Sequence, residues 1–146
     1  MRDAFGGIVN IVFVAIFLLI ISGILGLIVN YTKAFRMKNT VISAIEQYEG
    51  AKGCFSDQAT GETGCRDKIL KGAEAIGYHP PTIICSKEEG YTLSDNLFCY
   101  KREKSDSGKH YVYTVITQVD INIPIINRIM GLDIFRVHGD TRPVLK

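Results

Sequence analysis

Between residues 4 and 32 the chain has no charged side chain, and that gap excludes a good deal. A soluble amphipathic helix would turn a polar face outward every three or four residues, and this run shows none. Its polar members are Asn10, Ser22 and, at the far edge, Asn30, Tyr31 and Thr32. A cleaved secretory signal is disfavoured, because its apolar region would be shorter and the run ends Gly-Leu-Ile-Val-Asn-Tyr-Thr without the small residues of a cut site. The favoured reading over a cleaved signal is an uncleaved membrane helix. Roughly 20 apolar residues cross a hydrocarbon core, and residues 8–29 meet that length.

Catalytic patterns are missing too. There is no Gly-x-Ser-x-Gly, no phosphate loop and no Gly-x-Gly-x-x-Gly. The absence of Cys-x-x-Cys removes support for a zinc ribbon or a thioredoxin-like motif. His79, His110 and His138 stand in three separate segments, none at ligand spacing from another donor, and read as surface or edge residues. Asp57, Glu62 and Asp67 crowd one loop. They lack the alternating oxygen ligands and closing Glu of an EF-hand, so they read as a solvated acidic loop. The expectation is a protein that is not an enzyme and carries no cofactor or metal.

Four cysteines are present, at 54, 65, 85 and 99. An even count at wide spacing in a small domain reads as two disulfides, formed outside the reducing cytoplasm. Pairing of Cys54 with Cys65 and Cys85 with Cys99 is the simplest of three connectivities, and four buried free thiols are the alternative. The disulfide reading places the domain outside the cell. Lys33, Arg36 and Lys38 oppose it, because a basic flank tends to stay in the cytoplasm.

The helix does not stop at the membrane. Ala34, Met37, Val41, Ala44, Ile45 and Tyr48 recur by threes and fours, an amphipathic stripe. No Pro or Gly interrupts residues 27–49, and Gly50 and Gly53 supply the stop. The spacing therefore predicts one helix over residues 4–49, on the order of 70 Å long. Residues 1–33 are its membrane anchor, and residues 34–146 form one extracytoplasmic domain of ordinary size.

Within that domain, residues 51–64 read as a Gly-, Thr- and Asp-rich loop. Residues 66–76 read as a short helix with Ile69, Leu70, Ala73 and Ile76 on one side, ended by His79-Pro80-Pro81. Short strands are expected at 82–85, 90–93 and 97–102, with a polar turn over 103–109. Residues 111–123 alternate with period two, the pattern of an antiparallel strand with one face on a core. Pro124 ends it, residues 125–132 are an apolar connector, and residues 133–138 return as a last strand. The fold class is α+β, a long N-terminal helix packed through its second half on an antiparallel sheet of roughly four strands.

This layout resembles the type IV pilin-like fold. The apolar helix running directly into an amphipathic one is one part of the likeness. The other is two late strands, seen in Val119-Asp120-Ile121-Asn122-Ile123-Pro124, Met130-Gly131-Leu132 and Phe135-Arg136-Val137 with Arg142 following. These resemble the TadE-like pseudopilins of Tad-type pilus systems. The resemblance implies a structural or assembly component of a surface filament, partnered by copies of itself, other pilin-like subunits, pilus machinery and the membrane. Pilin precursors usually carry a basic leader, a Gly before the cut and a Glu at the fifth residue after it. Gly6 and Gly7 supply the Gly, but the leader is only Met1-Arg2-Asp3-Ala4-Phe5 and the fifth residue after Gly7 is Val12. On that departure the resemblance fits an uncleaved accessory protein instead of the main subunit.

Small residues in the apolar run bear on the partners. Ser22, Gly23 and Gly26 give the close-approach spacing by which membrane helices pack, and Asn10 is a candidate interhelical donor. The plainer reading is that glycine is common in membrane helices and that Asn10 is an interfacial residue. Lys101, Arg102, Lys104 and Lys109 beside Tyr100 and Tyr111 suggest a nucleic-acid contact. With Glu103 and Asp106 among them and a net charge of +2, they read as a solvated hairpin tip instead. Tyr91, Tyr100, Tyr111 and Tyr113 read as strand formers. Asn30-Tyr31-Thr32 is formally a glycosylation sequon, and at the membrane edge it reads as chance. Two other functional classes remain beside the filament component. One is a membrane-tethered binding module that does not polymerise; the other is a membrane enzyme, which would need a cleft with perturbed titratable groups.

Overall fold

A computed structural model describes residues 2–48, 53–56, 64–80, 82–105, 108–120 and 134–145. One helix, α1 (Arg2–Gln47), runs unbroken through both the apolar run and the amphipathic stripe. Its continuity follows from composition: from residue 27 on it holds no Gly or Pro, and the earlier glycines sit in a strongly apolar context. Ala34, Met37, Val41, Ala44 and Ile45 are all fully buried. Met37, Val41 and Ile45 each contribute about 1.5–3 kcal/mol by that burial. Tyr48, placed by periodicity in the same stripe, is instead exposed and packs its ring over Gly64.

A second helix, α2 (Gly64–Ile76), runs back along α1 in the opposite sense. Gly64 lies at Tyr48, Gly72 at Thr40 and Gly77 at Lys33. It buries Cys65, Ile69 and Ala73, a shorter stripe than expected, with Leu70 and Ile76 half-buried. Its end is a Schellman cap: Gly77 N–H donates to Glu74 O at 3.0 Å and Tyr78 N–H to Ala73 O at 3.0 Å. Gly77 takes φ +65°, the left-handed conformation that this cap requires.

The sheet is antiparallel, in the order β1 (Thr92–Ser94), β2 (Phe98–Lys104), β3 (His110–Asp120), β4 (Ile134–Asp140). A fifth strand, β5 (Val144–Leu145), pairs with the start of β3 at His110 and Tyr111 and was not anticipated. Two residues are too few to show a period. β3 is the spine. Tyr113, Val115, Thr117 and Val119 are buried on one face as expected, but Ile116 and Gln118 on the other face are buried too, Ile116 in a second small cluster with Ile83 and Cys99. The continuation through Pro124 and the connector lie outside the described residues. One face of the sheet covers α1 and α2 in a single core that includes Phe98, Tyr100, Tyr113, Val115, Val119 and Val137.

The expected strand over residues 82–85 is absent. Those residues form an irregular segment ending in a 3-10 turn (Lys87–Glu89). Below the Cys99–Ile116 pair β2 no longer covers β3, and side chains take over. Tyr78 Oη donates to Gln118 O at 2.8 Å and accepts from Gln118 N–H at 3.1 Å. The Gln118 amide then mimics a strand partner: Ile84 N–H donates to its Oε1 at 3.3 Å, and its Nε2 donates to Ile84 O at 2.8 Å. Thr82, Ile83 and Ile84 have strand propensity, but the main chain of Ile84 is paired to a side chain.

Candidate membrane and assembly interface

The apolar half of α1 is long and apolar enough to cross a membrane, and its most apolar stretch is not buried by the rest of the chain. Asn10, Ser22 and Gly26 are exposed, and Gly23 is only half-buried. A side chain added at Gly6, Gly7 or Gly26 would meet nothing within 4 Å, so these glycines lie on open helix surface. Two hydroxyls on this helix are satisfied by its own carbonyls. Ser22 Oγ donates to Leu19 O at 2.9 Å and Thr32 Oγ1 to Ile28 O at 2.7 Å, as groups facing lipid must.

At the junction one face of the helix becomes fully buried within three residues of Tyr31, at Ala34, while Phe35 and Arg36 stay exposed. Thr117 Oγ1, buried, donates to Ala34 O at 2.9 Å and fixes β3 to the helix there. Tyr31 meets Phe135 of β4 edge-on at a centroid distance of 6.3 Å. Lys38 lies with its ammonium 4.2 Å from the Phe35 ring centroid and its stem against Gly139, where an added Cβ would stand 2.7 Å from Cδ. Lys33 reaches towards Gly77. Two of the three flanking cations are thus involved in packing the domain on the helix, a role the sequence did not reveal.

Two disulfides join Cys54 to Cys65 and Cys85 to Cys99, closing loops of 11 and 14 residues in sequence. Loops of that size contribute about 3 kcal/mol each in the chain-entropy view. The first holds the chain after α1 against the start of α2, where Arg66 N–H donates to Gly53 O at 3.2 Å. Arg66 also pairs with Asp95 at 2.6 Å, and that carboxylate raises the guanidinium's pKa. Asp95 and Asn96 both take positive φ in the β1–β2 turn, a conformation these two residue types tolerate.

Phe55 was missed by sequence reasoning. It lies in the stretch read as a polar loop, yet it is buried and stacked on Tyr100 at 3.6 Å and 4°, with Phe98 and Tyr113 tilted beside it. A lone aromatic next to a cysteine in a polar run was the available signal. Of the loop acids, Asp67 forms an ion pair with Lys71 at 2.6 Å, while Asp57 and Glu62 lie outside the described residues. His79 and His138 are exposed and His110 half-buried. At the hairpin tip, Lys101 pairs with Glu103 at 2.6 Å and Arg102 stacks over Tyr111 at 4.9 Å. Among the described residues no three His, Cys, Asp or Glu groups gather as a metal site. Compared with protein-family models, with curated proteins and with solved structures, the chain has no match.

Proposed function

We propose that this chain is a membrane-anchored, pilin-like component of a surface filament or of the machine that exports one, with its domain outside the cytoplasm. The observation that carries the reading is α1: one rigid helix of 46 residues, open all round in its first half and fused to a sheet domain in its second. Such an element is suited to packing against other helices through its free half while displaying the domain at a fixed angle and height. The paired cysteines support an oxidising compartment. The basic flank weighs less against it once Lys33 and Lys38 are seen in the domain's packing.

The test is the intact mass of the chain in native membranes and in material sheared from the cell surface, with and without reduction. The expected result is a gain of four hydrogens on reduction, two per disulfide, in both fractions. Loss of the residues through Gly7 in the same spectrum would show processing at Gly6-Gly7. A chain confined to the membrane fraction that shows no change on reduction would overturn the reading.

A further inference from the structure

Among the described residues, seven large apolar side chains outside the apolar run of α1 remain exposed: Tyr31, Phe35, Tyr48, Ile84, Leu93, Ile134 and Phe135. Five of them lie at one end of the domain, where the apolar half of α1 enters it. Tyr31 and Phe35 are on the helix itself. Phe135 touches Tyr31, and Ile134 is one residue further towards the apolar half. Ile84 is held against Gln118, the residue after the one that bonds Ala34 O. Ile84 and Phe135 keep 60% and 48% of their surface exposed. Soluble domains scatter such residues singly, and a gathered set marks a contact surface.

The helix gives their height. Tyr31 stands about 3 Å, and Phe35 about 9 Å, beyond Val29, where the apolar run ends. The polar interfacial layer of a bilayer is about 5–7 Å deep on each side. Tyr31 and its partner Phe135 therefore fall within that layer, while Phe35 lies about 2 Å or more beyond it. Aromatic side chains favour this level. Charge at this end is positive: Lys33, Arg36 and Lys38 on α1, and Arg136 on β4. Among the described residues the acids near them are Glu89, lining the same small cleft as Arg136 and Ile84, and Asp120, placed opposite Ile134 in the β3–β4 register.

We propose that this end of the domain is seated on the bilayer, with Tyr31, Ile84, Ile134 and Phe135 in the interfacial layer and Arg36 and Arg136 on the phosphates of anionic lipid headgroups. The inference rests on the membrane anchor argued above and adds a second lipid contact to it. Continuity with the apolar helix and the complementary charge favour lipid over a protein partner. Each arginine is worth about fivefold in the ratio of seated to lifted domain on an anionic surface.

The chain has no tryptophan, so Phe135→Trp or Ile84→Trp introduces a single reporter. Ile84 is exposed enough for its variant to fold even if the Phe135 variant does not. The full chain is reconstituted in vesicles of phosphatidylcholine alone and of an equal mixture with phosphatidylglycerol, each with or without brominated acyl chains. Flotation with the vesicles reports the anchor separately. The expected result is blue-shifted emission quenched by the brominated lipid, more strongly in the anionic mixture. Arg36→Gln and Arg136→Gln together should remove that excess, and Tyr48→Trp at the far end should stay unquenched. A chain that floats but whose tryptophan emits as in water overturns the seating alone. Emission that is blue-shifted, unquenched and dependent on protein density means a second copy covers this end, and also overturns it. Failure to float overturns the anchor and the seating together.

Discussion

At the scale of single residues, Tyr78 and Gln118 do the work of a missing strand. Burial pushes the Tyr78 phenol up to about 12 from 10.0, with hydrogen bonding to the Gln118 main chain pulling the other way. A folded-state value above the unfolded one means that the protonated phenol's contribution is complete below pH 10. It is lost as the pH rises from there to about 12, in total about 2–3 kcal/mol. Tyr78→Phe should cost about 1–3 kcal/mol at neutral pH, because Gln118 N–H and C=O lose their partner. It should also flatten the alkaline limb of stability. Chemical denaturation of both forms from pH 8 to 12 would show this, and parallel limbs would mean another group governs the alkaline loss. Little of this was legible beforehand. Gln118 sits 40 residues from Tyr78 and 34 from Ile84, and no local pattern in sequence encodes a contact at that range. The cysteines were legible because their chemistry narrows the partners to three pairings. Phe55 was not, since its partners Tyr100 and Tyr113 belong to strands far along the chain.

At the scale of elements, the α1–α2 contact depends on a missing side chain. A Cβ at Gly72 would stand 2.5 Å from Thr40 Cγ2, and threonine has little rotamer freedom on a helix to move it away. Gly72→Ala therefore gains about 1 kcal/mol in helix propensity and loses about 1–3 kcal/mol to overpacking. In a Thr40→Ser background, which deletes Cγ2, only the gain should remain. Thermal unfolding of the four combinations should thus show Gly72→Ala neutral or destabilising alone and stabilising beside Thr40→Ser. Additive effects would place the clash elsewhere. Gly139 offers the contrast, because the atoms nearest it are the flexible stem of Lys38 and the tip of Ile42. The elements legible in sequence were those whose period runs unbroken for many residues, namely α1 and β3. Residues 82–85 carried strand propensity without a strand to pair with, and β5 is too short for any pattern to emerge. Propensity describes what a segment tolerates, while pairing is decided by what β2 leaves uncovered.

At the scale of the molecule, α1 couples two packing problems that a hinge would separate. Its free half presents Ser22, Gly23 and Gly26 and its buried half fixes the sheet; Gly23 and Gly26 stand about five whole turns before the buried Val41 and Ala44, so the two directions nearly coincide. With no break between residues 2 and 47, the angle between those directions is set by helix geometry alone. Inserting one alanine after Thr32 rotates the domain by about 100° relative to the apolar half while lifting it by only about 1.5 Å. A filament component needs both faces in phase with its neighbours; a simple tether does not. The inserted chain should still float with membranes and still form both disulfides, yet its yield in sheared surface material should fall to background. Thr32→Ala, which leaves the phase unchanged, should match the parent in all three. Undiminished yield from the insertion would reduce α1 to a passive tether and favour a binding domain that acts alone.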